Sequence, residues 1–331
     1  MRGATTTLRA LVQLAVLGAV ALCASPVSGQ GAPGTARIGM LTPTTNAARE
    51  DVFRRELARL GRVEGRNLVI EYRTANGDFD RLPALANELV RANVDLIVAV
   101  VTQAGVAAKS ATKTIPIVIV GVGDPVGAGL VASFARPGGN VTGNSGAAVE
   151  VVGKQLELFR EFMPNISRVT ALHNPSNRVF QAQQLEQAKR AARGLGIELA
   201  VVEASRPDAL DAAFRAVESS RAEGLLILAD PMFGLHADRI ARLALARRLP
   251  TVSGFETYAD AGVLVAYGAN FDEFYRRGAV YVDRILRGAK PADLPVERPN
   301  RFELVVNLRS AKALGITLPA ALVARADRVV Q

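Results

Sequence analysis

The chain has 331 residues, 49% of them hydrophobic and 21% charged, with a formal net charge of +9; that suits about two domains of roughly 150 residues and excludes disordered, collagen-like and low-complexity classes. Aromatic residues make up 5% and tryptophan is absent, which argues against stacking surfaces for single-stranded nucleic acid. Basic residues alternate with acids, as in Arg49-Glu50-Asp51, with no run of five or more bases, so the surplus charge reads as a solvated surface and nucleic acid is not expected as a partner.

Arg2 and Arg9 flank a polar start, and residues 10–24 form an apolar run without charge. Pro26 breaks the run, and Val27-Ser28-Gly29 offers small residues for a cut before Gln30. This order describes a secretory signal peptide over residues 1–29. The run is shorter than the ~20 residues that span a bilayer comfortably. Cys23 is the one cysteine, and Leu22 before it does not suit lipidation. The mature chain is expected to be exported, unanchored and free of disulfides. Removing Arg2 and Arg9 takes its charge from +9 to +7.

The body alternates strand and helix. A strand over residues 37–41 precedes a helix carrying Val52, Phe53, Leu57 and Leu60, which stops at Gly61. Strand 68–72, helix 81–91, strand 95–101, helix 104–112 and strand 115–122 follow. VDLIVAVV and IPIVIVGV are uninterrupted apolar runs, as buried parallel strands require. The Gly- and Asn-rich stretch 135–146 reads as a crossover. The alternation then restarts with helix 151–162, strand 168–173, helix 178–195 and strand 198–203. Helix 209–219, strand 224–229, helix 237–247 and strands 251–254 and 263–267 complete the second unit. Helix 273–286, a Pro-rich passage over 290–299 and strand 302–307 end the chain. The expected fold is α/β, with two doubly wound parallel-sheet lobes joined by crossovers. The first lobe spans residues 36–145 plus about 268–298, the second 146–267 plus about 299–331.

Enzyme signatures fail. No G-x-x-x-x-G-K-[ST] occurs, residues 121–127 miss the dinucleotide spacing, and Gly143-Asn144-Ser145-Gly146 lacks the closing glycine of a nucleophile elbow. His173 and His236 are the only histidines and lie 63 residues apart. No metal site, cofactor or catalytic residue is expected.

Open α/β sheets bind ligands at the carboxyl ends of their strands. In the first unit these ends present Thr42-Pro43-Thr44, Thr102-Gln103 and Asp124. In the second they present Asn174, Asp230, Phe255-Glu256 and Tyr267. Thr102 and Gln103 open a helix and suit a carboxylate. Asp124 and Asp230 suit an ammonium group, and Phe255, Tyr258 and Tyr267 suit an apolar wall. Asp-Pro and Asn-Pro are also ordinary turn starters.

Several stretches carry a resemblance. They are residues 60–67 with Ile70-Glu71-Tyr72-Arg73, Asp80-Arg81-Leu82-Pro83, residues 107–143, and Asn174-Pro175-Ser176-Asn177. Ala229-Asp230-Pro231, residues 262–268 and 288–295, and FELVVNLRSAKALG continue it. From about residue 36 to the end, the chain resembles the family of ABC-transporter substrate-binding proteins that includes the tryptophan- and tyrosine-binding lipoproteins of Gram-positive bacteria. The resemblance implies a type I periplasmic-binding-protein fold that closes on a small solute. It also implies that Thr102, Asp124, Asn174, Asp230 and Tyr267 face the cleft. Val100-Val101 and Glu256-Thr257-Tyr258 depart from the family pattern, as does the missing lipidation site, which implies a free periplasmic protein.

The expected function is therefore capture of an amino acid or similar small polar solute, in a monomer that delivers it to the transmembrane subunits of an ABC permease. The alternatives are a ligand sensor feeding a membrane kinase and an exported α/β enzyme.

Overall fold

The computed structural model describes residues 34–331, so the expected signal peptide lies outside the described residues. The first sheet contains β1 (Ala36–Thr42), β2 (Leu68–Thr74), β3 (Leu96–Val100), β4 (Ile117–Val122) and β5 (Val141–Ser145). All its neighbours pair in parallel, in the order β2-β1-β3-β4-β5. Helices α1 (Ala47–Arg59), α2 (Leu82–Arg91) and α3 (Val101–Ala111) connect its first four strands. Every residue of β3 and β4 is buried, which is why these strands carry no polar alternation.

The second half runs α4 (Val152–Phe162), β6 (Arg168–His173), α5 (Arg178–Leu195), β7 (Glu198–Glu203) and α6 (Leu210–Ser219). It continues with β8 (Gly224–Ile227), α7 (Pro231–Leu235), α8 (Ala237–Ala246), β9 (Thr251–Ser253) and β10 (Val265–Ala269). Next come α9 (Phe271–Leu286), β11 (Phe302–Asn307), α10 (Leu308–Leu314), α11 (Ala320–Ala324) and β12 (Arg328–Val330). Its seven strands lie in the order β12-β11-β10-β9-β8-β6-β7. Neighbours pair in parallel except β10 and β11, which are antiparallel.

The chain passes between the sheets more than once. Helix α9 follows β10 of the second sheet but packs on α1, β4 and β5 of the first. Gly278 permits that approach, because a Cβ there would sit 2.8 Å from Val120 Cγ2. An Arg62–Asp283 ion pair of 3.0 Å ties α9 down beside α1. The chain then runs beside β5, where the Thr142 hydroxyl donates to the Leu294 carbonyl, before returning to the second sheet as β11. One apolar cluster is continuous from Ile38 and Phe53 of the first lobe through Phe271 and Phe255 to Ile227 and Phe214 of the second.

Helices α7, α10 and α11 and strand β12 were not read from the sequence, and two further elements differ from that reading. Residues 141–145, inside the stretch read as crossover, form strand β5. Its Gly143 has φ +136°, and a Cβ there would meet the Ile119 carbonyl at 2.1 Å, so the strand needs glycine to pair with β4. Helix α3 begins at Val101 rather than three residues later.

Candidate functional site

Both sheets share the feature that makes a binding crevice. In the first, strand order reverses between β1 and β3; in the second, between β6 and β8. Helices leave opposite faces at such a switch point and open a gap beyond the strand ends. A cavity of about 110 Å³ lies there, with walls from both lobes. Thr42 ends β1 and Thr44 follows it, Asn46 caps α1 and Arg49 lies in its first turn, and Val100 and Val101 join β3 to α3. The opposite wall holds Asp230, Phe255 and Tyr258, while Phe271 and Tyr275 reach it from α9.

Local chemistry explains how each side chain is held. Asn46 caps α1: its side chain accepts from Arg49 N at 3.1 Å, and Glu50 accepts from Asn46 N in return. This places Arg49 in the first turn, aimed at the cavity. Its guanidinium lies 4.5 Å from the centre of the Phe271 ring and 3.5 Å from Glu256 Oε1. Glu256 is buried and its Oε2 has no hydrogen-bond partner. Burial pushes its carboxyl pKa up, and the Arg49 charge opposes this only in part.

Asp230 is fully buried and meets four N–H donors. Oδ1 accepts from Asn174 Nδ2, Met232 N and Phe233 N, and Oδ2 accepts from Asn177 Nδ2 at 2.7 Å. It therefore caps α7 and braces the 174–177 turn while touching the cavity. Burial raises its pKa, against the pull of these donors. The Tyr258 hydroxyl donates to the Asp230 carbonyl at 2.9 Å, which fixes the ring between Asp230 and Phe255.

Of the residues singled out from the sequence, Thr42, Thr44, Asp230, Phe255 and Tyr258 border the cavity. Asn174 stands behind Asp230, and Glu256 behind Arg49. Thr102 is buried and accepts from Gly123 N. Asp124 accepts from Gly127 N and, across the lobes, from Gln183 Nε2 at 3.3 Å. Both amide atoms of Gln103 are buried without partners and lie away from the cavity walls. Tyr267 also lies outside the cavity; its ring packs 5.9 Å from Phe302 on the antiparallel β10–β11 pair. Lining residues not read from the sequence include Asn46, Arg49, Phe271 and Tyr275. Asn46 did carry a signal, an N-cap three residues before Arg49. Among the described residues, no group of three or more His, Cys, Asp or Glu could hold a metal.

The profile of the family described as ABC transporter substrate binding protein matches residues 43–330. The chain belongs to this family. A "Tyrosine-binding protein" of Clostridioides difficile is 27% identical over 267 residues, covering 79% of this chain and 75% of that relative. Among solved structures, a conserved domain protein of Vibrio cholerae superposes with TM-score 0.81 at 30% identity, covering 89% and 99% of the two chains. The ABC domain from Streptococcus pneumonia in complex with L-Trp gives 0.82 at 25% identity, covering 90% and 100%. A substrate binding protein with adhesive properties from Clostridium difficile, ligand-free and open, gives only 0.64 at the same 25% identity, with 89% and 99% coverage. The architecture is the type I periplasmic-binding-protein fold, shared more distantly with a myo-inositol complex from Bacillus halodurans. The family is one of substrate-binding proteins rather than enzymes, and its members work outside the cytoplasm. No helix among the described residues is long and apolar enough to cross a membrane.

Proposed function

We propose that this substrate-binding protein is exported to the periplasm, captures an amino acid or similar small polar solute between its lobes, and delivers it as a monomer to the transmembrane subunits of an ABC permease. The single observation that carries the ligand class is the pair of opposite charges on one small cavity. Arg49 comes from the first lobe and Asp230 from the second, with Phe255, Tyr258 and Phe271 beside them. A guanidinium suits a carboxylate, and a carboxylate suits an ammonium group. Similar proteins described as tyrosine-binding and L-Trp-bound support the same class. The lobes are read as residues 36–145 with about 268–298, and 146–267 with about 299–331. The ligand touches both only when they are closed, so binding selects the closed population.

Thermal unfolding with each L-amino acid at millimolar concentration tests the class. A ligand at 100 times its Kd adds about 2.7 kcal/mol, a rise of several degrees at roughly 2 °C per kcal/mol. Arg49→Gln weakens binding of the responding compound by roughly ten- to a hundred-fold, the scale of a lost charge-assisted hydrogen bond. An unresponsive protein across the amino acids, or an Arg49→Gln variant of undiminished affinity, overturns the assignment.

A further inference from the structure

Six non-glycine residues among those described have positive φ, and only Val101, at +61°, is β-branched. That conformation is a genuine outlier for valine, whereas glycine adopts it freely. Such strain persists only where the surroundings enforce it, and it collects at functional sites. Val101 sits at the first sheet's switch point, where β3 turns into α3.

Val101 also borders two spaces. One is the cavity of about 110 Å³ that holds Arg49 and Asp230. The other is a collapsed space of about 10 Å³ behind it, lined by Gly121, Gly146, Gly254 and Gly268 with Phe180 and Phe274. Val101, Pro231, Phe255 and Phe271 belong to both and form the partition between them. Three of these four have little freedom. Pro231 is locked as the first residue of α7 behind the Asp230 cap. Phe255 and Phe271 pack edge to face at 5.0 Å, and the stack extends to Tyr258 and Phe274. The front cavity is smaller than the ~150 Å³ apolar cavity that accommodates benzene. An amino acid's charged ends therefore fit it together with a short side chain, whereas an aromatic ring needs the rear space.

We propose that Val101 is the specificity-determining residue of this protein, closing the rear space so that the ligand's side chain must be compact. The proposal rests on the amino-acid reading above, and its test separates the two. Val101→Gly and Val101→Ala both remove the branched side chain from the partition, and the second guards against a folding failure of the first. Each variant and the parent protein are titrated with indole, which has no amino-acid ends, and with the L-amino acids.

Indole at millimolar concentration raises the melting temperature of both variants by degrees and leaves the parent unchanged. The ratio of L-tryptophan affinity to that for compact amino acids rises by at least about ten-fold, the lower end of what a few methylenes discriminate in an apolar pocket. Indole stabilising the variants while no amino acid binds any form supports the partition and overturns the amino-acid reading. Amino acids binding with an unchanged aromatic-to-compact ratio overturn the Val101 proposal alone. A parent protein that already binds L-tryptophan as tightly as the variants overturns it too.

Discussion

Glu256 keeps a carboxylate in a place that disfavours charge. It is 7% exposed, its Oε2 has no partner, and Arg49 at 3.5 Å compensates only part of the desolvation. Its pKa in the folded protein lies above the ordinary 4.5. A raised carboxyl pKa contributes stability that is fully present below the unfolded value and is lost as pH rises through the folded one. Glu256→Gln does not titrate and escapes that loss. Its melting temperature relative to the parent therefore rises between pH 4 and pH 8, and melts across that range check it. A constant difference would mean that Glu256 titrates as it does in the unfolded chain. The same substitution releases Arg49, so an anionic ligand binds the variant more tightly than the parent at neutral pH. The strand-end residues Thr42, Thr44, Asp230 and Phe255 were legible because apolar runs mark where each strand stops. Arg49 and Tyr275 were not, since each looks like one more polar or aromatic residue on an amphipathic helix.

Helix α1 shows how one element's start position controls the site. The Asn46 cap satisfies a free N–H of the first turn and, through the Glu50 return bond, sets where Arg49 begins. Losing such a cap costs about 1 kcal/mol. Asn46→Ala should therefore lower the melting temperature by a few degrees at most. It should also weaken ligand binding, because the first turn frays beneath Arg49. Asn46→Asp keeps an acceptor and should preserve both properties. An Asn46→Ala protein with reduced stability and unchanged binding would detach Arg49 from the site. At this scale most of the fold was legible. The β3 and β4 runs and the helix faces of α2 and α6 follow simple periodicities. Strand β5 was hidden because its buried Gly143 and Asn144 are not apolar and serve pairing and bracing: Asn144 accepts from Gly121 N and donates to the Phe274 carbonyl. Strand β11 was legible over residues 302–307 but its antiparallel direction was not, since pairing direction is decided by how the chain returns from α9.

Closure of the whole molecule depends on what the two lobes can place against each other. On one side of the cleft Arg49 meets Glu256; on the other, the turn after β4 meets α5. There a Cβ on Gly123 would lie 2.1 Å from Phe180 Cε2, far inside any real contact. Gly123 does not have positive φ, so alanine is acceptable to the backbone and its only cost is this collision. Phe180 is buried in the cluster that runs between the lobes, so its ring has little room to yield. Gly123→Ala should thus hold the lobes apart without unfolding either. Apparent affinity falls in proportion to the fraction of molecules that can close. A closed population cut to about a tenth gives a ten-fold loss. Phe180→Ala in the same chain removes the obstacle and should restore most of the affinity, a coupling that a double-mutant cycle measures directly. Solution scattering provides the structural readout: Gly123→Ala with ligand should keep a larger radius of gyration than the parent with ligand, and the double variant should contract. Equal affinity and equal contraction in the single variant would show that the Gly123–Phe180 contact does not govern closure.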